Sequence, residues 1–377
     1  MFYVNRQIGE RLKNQLDNSE RAAILQFKPQ YPGLLKLSWM PMEEPILTVR
    51  NLRTALLIGN KAYNVIDGID FNLKKGKTLA IVGESGCGKT MTALSIMRIL
   101  PKPPALEPTG EVIYRGMNLL TLPEKEMRKI RGANIAMIFQ DPMTALNPVY
   151  TIGDQLMEVA ELHLKLFGEE GLERVIRVLD DVQIENPHQC ILSYPHQLSG
   201  GMKQRVMIAM ALMCEPDILI ADEPTTALDV TIQAQVLDLM RELQQRKGMA
   251  LLLITHDLGV VAEMADDVIV MYAAQAIERG EVEDIFDDMG HPYTLGLFKS
   301  RPSIQKTKGT LQPIKGSVPS FTNFPTGCRF HPRCPYVMKK CHHGDVPDFP
   351  LNEKGHEAKC WLHDKSEESN EKLKLMR

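Results

Sequence analysis

Eight consecutive residues, Gly83-Glu84-Ser85-Gly86-Cys87-Gly88-Lys89-Thr90, constrain this chain more than anything else in it. They fit the phosphate-loop pattern G-x-x-x-x-G-K-[ST]. The apolar run 79–82 before them reads as a buried strand, and 90–100 after them as a helix stopped by Pro101. That strand–loop–helix setting gives the pattern its physical meaning. Gly83, Gly86 and Gly88 let the backbone turn its N–H groups inward, and the helix N-terminus behind them completes an anion nest. Lys89 adds a mobile positive charge for the outer phosphates, and Thr90 offers a hydroxyl to Mg²⁺.

Strand-like apolar runs recur at 78–82, 135–139, 218–221, 251–255 and 268–272, with helical patterns between several of them. This rhythm predicts, over residues 46–290, an α/β domain with a largely parallel sheet covered by helices. Residues 151–195 carry two helical patterns, 152–166 and 171–182, and no strand signal. They mark a helical subdomain spanning about 141–205. Residues 1–45 form a charged extension in which Ile8, Leu12 and Leu16 recur every four positions, the spacing of a short amphipathic helix on a docking segment or loosely ordered tail. From 291 to 377 prolines become frequent and the chain reads as a small, loop-rich appendage. The net charge of −3 exerts no bulk pull toward nucleic acid or anionic lipid. No apolar run approaches the ~20 residues that cross a bilayer, and the first residues lack the order of a signal peptide. A cytosolic chain, free to dock on a membrane protein, is expected.

Other segments supply chemistry that a phosphate loop alone does not. Ser199, Gly200 and Gly201 open a helix and form a second potential phosphate cradle. The apolar strand 218–221 ends in Asp222 and Glu223: the first is placed to hold Mg²⁺ through water, the second to orient or deprotonate attacking water. Another buried strand ends in His256, and a third in Gln140, whose amide reaches both Mg²⁺ and water. Cys87 lies near a helix N-terminus, which predicts a lowered thiol pKa and a thiol that ATP shields from reagents.

Taken together, these residues resemble the ATP-binding-cassette ATPases. Walker A falls at 83–90, the Q-loop at Gln140, the signature at 198–202, Walker B at Asp222-Glu223, the D-loop at 227–229 and the switch histidine at His256, all in the family's order. The resemblance covers about 46–290. It implies two subunits packed head to tail, with ATP between one Walker A and the other's signature and Asp229. It implies Mg²⁺ on Thr90, Gln140 and Asp222, Glu223 as general base and His256 as γ-phosphate sensor. Tyr63 stands where the family stacks an aromatic on adenine.

Of seven cysteines, four gather late as Cys328, Cys334, Cys341 and Cys360, spaced C-x₅-C-x₆-C-x₁₈-C. A loop-rich segment with little apolar content needs a cross-link, and metal ligation supplies one in a reducing compartment. The spacing lacks the C-x₂-C knuckles usual for structural zinc, and Cys₄ also suits a [4Fe–4S] cluster. The segments His291-Pro292-Tyr293-Thr294 and 327–335 resemble the C-terminal region of the dipeptide and oligopeptide importers, and members with all four cysteines favour [4Fe–4S] over zinc. The resemblance implies a peripheral ATPase on the cytoplasmic face of the inner membrane, paired with a homologous ATPase, two transmembrane permeases and an extracytoplasmic binding protein, and no nucleic acid. Nickel or glutathione import, or a soluble cassette ATPase outside transport, are the other readings. Ala274 departs from the branch's Tyr-Ala-Gly-Gln pattern.

Overall fold

The computed structural model describes residues 44–141, 145–226, 229–300 and 313–377. The expected helix bearing Ile8, Leu12 and Leu16 lies outside the described residues. A hairpin, β1 (Leu47–Ile58) and β2 (Lys61–Leu73), comes first; a two-residue turn closes it, with Gly59 at φ 59°. β3 (Thr78–Val82) leads through the phosphate loop into α1 (Lys89–Met97). β4 (Thr109–Tyr114) and β5 (Met117–Asn118) return to the hairpin, completing an antiparallel sheet ordered β2-β1-β4-β5. From the sequence alone only residues 45–49 read as a strand here, far short of the observed hairpin. Its period was obscured by register shifts in β1, between Val49 and Leu52 and again between Thr54 and Ala55.

α2 (Glu124–Ile130) precedes β6 (Ile135–Ile138). The helical insertion then runs α3 (Ile152–Val159), α4 (Gly168–Asp181) and α5 (Pro187–Cys190). A capping box starts α3: Thr151 Oγ1 accepts from Asp154 N–H, and the Asp154 carboxylate accepts from Thr151 N–H. The pattern predicted at 152–166 is not one α-helix, because residues Ala160–Leu164 widen into a π turn. The second half follows as α6 (Gly200–Leu212), β7 (Ile218–Asp222), α7 (Val230–Lys247), β8 (Ala250–Thr255), α8 (Leu258–Met264), β9 (Asp267–Tyr272) and β10 (Gln275–Glu281). Then come α9 (Val282–Asp287) and α10 (Pro292–Lys299), and in the tail β11 (Phe349–Pro350), β12 (Glu357–Ala358) and α11 (Glu367–Met376).

The main sheet is ordered β11-β12-β10-β9-β3-β8-β7-β6. Its five strands from β9 to β6 are parallel, so all their carboxyl ends reach one edge. Both faces are covered. Ile218 and Ile220 pack with Ile81, Ile254 and Ala93 on one side, while Leu219 and Ala221 pack with Leu253, Val206 and Met240 on the other. This explains why β7 and β8 read as unbroken apolar runs rather than alternating ones.

The tail is less detached than its composition suggests. β12 pairs with β10 through Glu278 and Arg279, extending the cassette's own sheet. Buried Glu278 gathers the Gly290 and His291 N–H groups and the Thr294 hydroxyl, and His356 Nε2 lies 2.9 Å from its Oε1.

Candidate nucleotide site

Parallel topology brings the predicted groups together, because each follows the carboxyl end of a parallel strand. The phosphate loop follows β3, Gln140 follows β6, Asp222 and Glu223 end β7, and His256 follows β8. In the loop, Gly88 sits at φ 110°, and a Cβ there would lie 2.6 Å from the Val65 carbonyl oxygen. Gly83 is as tight, with a Cβ position 2.3 Å from the Met271 carbonyl. Close packing as well as left-handed geometry therefore demands these glycines. Gly86 at φ 81° has open space beside it, so conformation alone accounts for it. The buried Lys89 ammonium donates to the carbonyls of Gly83 (2.9 Å) and Glu84 (3.3 Å).

Across from the loop, Thr90 Oγ1 donates to Asp222 Oδ1 at 3.2 Å. Burial pushes the Asp222 carboxyl above its ordinary range, against that hydrogen bond. A buried carboxylate beside a second one calls for a cation, and Thr90, Asp222 and Gln140 are the oxygen donors that would hold Mg²⁺. Glu223 adopts a left-handed backbone, φ 47°, the kind of strain that collects at functional sites. Its Oε2 accepts from Gln140 Nε2 and from Thr226 Oγ1, both at 3.0 Å, and its Oε1 lies 3.1 Å from His256 Nδ1. Burial raises its pKa, but the His256 and Thr226 hydrogen bonds outweigh that and leave the carboxyl below its ordinary range.

Lys89, Thr90, Gln140 and Glu223 border a cavity of about 280 Å³ that also takes in Ser85, Met91, Leu56, Val65, Ala274, Phe321 and Phe324; Asp222, bonded to Thr90, and His256, beside Glu223, are not among its lining residues. Tyr63 is half-buried with its ring edge-on to Phe321 at 6.4 Å, and is not among the residues lining the cavity. Ser199 caps α6, its Oγ accepting from Met202 N–H at 3.3 Å, and with Gly200 it is exposed rather than turned into this cavity. Asp229 likewise caps α7, accepting from Ile232 N–H at 3.0 Å.

Two expectations change. Cys87 is 1% exposed, and burial raises its thiol pKa, overriding the helix N-terminus that had suggested a reactive thiolate. Glu84 does more than form part of the loop. Its N–H donates to the Tyr293 hydroxyl at 2.8 Å, and its carboxylate takes a two-pronged grip from buried Arg333 at 2.7 and 3.1 Å. Sequence reasoning missed Tyr293 and Arg333 as neighbours of the phosphate loop, since both lie in the tail.

Ala274 closes the loop's far side. Its N–H donates to the Cys87 carbonyl at 2.9 Å, and it sits at φ 70° next to Ala273 at φ 46°. A left-handed non-glycine residue costs about 1–2 kcal/mol, partly offset by the unfolded-state freedom that glycine adds. Ala274→Gly is therefore expected to raise the unfolding midpoint by roughly 1–2 °C in calorimetry. A lowered midpoint would show that the backbone here is not strained.

This fold and this site define an ATP-binding-cassette ATPase. The chain matches the ABC transporter family over residues 66–226 and the oligopeptide/dipeptide transporter C-terminal region over 277–341. It is 48% identical over 325 residues to the dipeptide transport ATP-binding protein of Bacillus subtilis, covering 86% of this chain and 97% of that one. It is 47% identical over 328 residues to a probable peptide ABC transporter ATP-binding protein of Sinorhizobium fredii, covering 87% and 98%. A dimeric ATP-binding cassette solved after hydrolysis with ADP and Pi is 27% identical, with a TM-score of 0.56 over 63% of this chain and 98% of that one. The chain belongs to the ABC transporter ATP-binding family, in the branch that carries the oligopeptide/dipeptide transporter C-terminal region. As an ABC ATPase it uses ATP with Mg²⁺.

Proposed function

We propose that this chain is the ATP-hydrolysing subunit of an importer of dipeptides and oligopeptides, peripheral on the cytoplasmic face of the inner membrane. The observation that carries the two-subunit arrangement is the exposed signature. Ser199 and Gly200 stand on the surface at the start of α6 and do not line the chain's own cavity. A second cassette, homologous and in this branch a different chain, brings its signature to the ATP held by 83–90, and this chain's Ser199 and Asp229 meet the ATP held by that partner. Lys89 meets the outer phosphates, Glu223 takes the proton of the attacking water, and His256 senses the γ-phosphate.

A docking face for the permeases lies on the helical insertion. Val149, Tyr150 and Leu192 are all exposed, and the two segments that carry them are joined by Ile152 N–H donating to the Ser193 carbonyl. Among the described residues no helix is long and apolar enough to cross a membrane, in keeping with a subunit that docks there. The relatives' names, which speak of peptide and dipeptide transport, support the cargo.

The four late cysteines support a [4Fe–4S] cluster. Among the described residues no group of three or more His, Cys, Asp or Glu is gathered closely enough to hold a metal ion. Cys328, Cys334, Cys341 and Cys360 instead ring one small enclosed cavity. Trp361, also on its wall, carries a buried indole N–H with no partner among the described residues, the kind of donor that hydrogen-bonds to cluster sulfur. Burial pushes the thiols of Cys328 and Cys334 up to about 11 and about 12, and raises Cys360 as well. A strongly cationic group is then needed to draw out thiolates. The cluster's part is structural cross-linking.

Two experiments test these readings. Co-purified with its permeases and companion ATPase in vesicles, the complex is expected to raise its ATPase rate when peptide-loaded binding protein is added; no response to any peptide pool would reject the cargo. Anaerobic purification is expected to give iron with a visible absorbance band that Cys334→Ser abolishes. Stoichiometric zinc without iron would reject the cluster.

A further inference from the structure

The cavity above the phosphate loop is lined by two chemically different sets of side chains. Lys89, Thr90, Gln140 and Glu223 are polar; Leu56, Val65, Phe321 and Phe324 are apolar. A nucleotide with its triphosphate on the loop leaves its base to meet the apolar set. Two of the four groups there come from the tail, far outside the segment that matches the cassette family. We propose that Phe321 and Phe324 are base-contacting residues, so that the C-terminal segment supplies one wall of this chain's own ATP site.

Both rings are held in place. Phe321 meets Tyr63 edge-on, interplanar angle 78°, and lines the cavity, which Tyr63 does not. Phe324 lies under the Arg329 guanidinium, 4.2 Å from its ring centroid. Arg329 in turn donates to the Ala273 carbonyl at 2.5 Å and forms an ion pair with Asp67. Ala273 adjoins Ala274, which lines the same cavity. The path from Phe324 through Arg329 to Ala273 thus ties the aromatic wall to the loop's own surroundings. A flat, polarisable base is well matched to aromatic faces and edges, whereas inorganic triphosphate has nothing to offer them.

The two ligands separate a base wall from a general structural prop. In the purified full-length chain with Mg²⁺, the Phe321→Ala/Phe324→Ala double variant is expected to bind ATP roughly ten-fold more weakly in calorimetry. Its affinity for inorganic triphosphate should stay that of the parent. Phe321→Leu, which keeps apolar bulk but loses the ring, is expected to show a smaller loss for ATP alone, and Phe321→Tyr to restore binding. Equal weakening of both ligands, or no weakening of either, overturns the proposal. Failure of the parent chain to bind ATP would strike the ATPase assignment instead, so the two failures are distinguishable.

Discussion

Glu223→Gln is expected to leave ATP binding nearly unchanged and to cut turnover by roughly two to four orders of magnitude. The substitution keeps the side chain's size and its acceptor oxygen, so the contacts with Gln140, Thr226 and His256 can largely persist. What it removes is the basic oxygen proposed to take the proton of the attacking water. The measurement pairs equilibrium ATP binding with single-turnover hydrolysis in the assembled ATPase. Hydrolysis within ten-fold of the parent would take the base role away from Glu223. A pH profile adds a second check. The Glu223 carboxyl sits below its ordinary range, so it is ionised throughout the neutral region and any acid limb it controls lies below the usual glutamate value. An acid limb near neutrality would point to another titrating group. The same hydrogen bonds that keep Glu223 ionised also weaken it as a base. Turning His256 toward the γ-phosphate and Gln140 toward Mg²⁺ would restore its strength, which couples basicity to the arrival of substrate.

How much of this was legible beforehand depends on sequence distance. The phosphate loop was readable because its grammar is local: an apolar strand, glycines and a helix start within a few residues. Strand ends carrying Gln140, Glu223 and His256 were readable for the same reason, and parallel topology then gathered them at one edge. Cys87 misled because a local rule about helix N-termini ignores burial, which only the packed structure reveals. Arg333 and Glu84 are 249 residues apart, and no periodicity links them. β12 is two residues long, too short to leave any pattern. Phe321 and Phe324 read as scattered aromatics in a proline-rich stretch until the fold carries them to the cavity.

Glu278 is the hardest case of this kind, and it carries the largest structural prediction. In β10 it reads as an ordinary solvated charge within Gln275-Ala276-Ile277-Glu278-Arg279. Yet it is 2% exposed: its Oε1 accepts from Gly290 N–H at 2.5 Å and lies 2.9 Å from His356 Nε2, and its Oε2 accepts from His291 N–H at 2.9 Å and from the Thr294 hydroxyl. Glu278→Ala strips an acceptor from all of these at once. Leaving buried donors unpaired costs roughly 3–5 kcal/mol when a charged hub is removed. The expected result is a loss of that size in chemical denaturation, with faster amide exchange in α10 and β12. The effect should also reach the nucleotide, because Tyr293, whose hydroxyl accepts from Glu84 N–H, lies in the turn that Glu278 fastens. ATP affinity should therefore fall, even though Glu278 is not among the residues lining the cavity. A loss under about 1 kcal/mol would mean that water or a rearranged turn satisfies those donors, and that the tail is held to the cassette by something other than this knot.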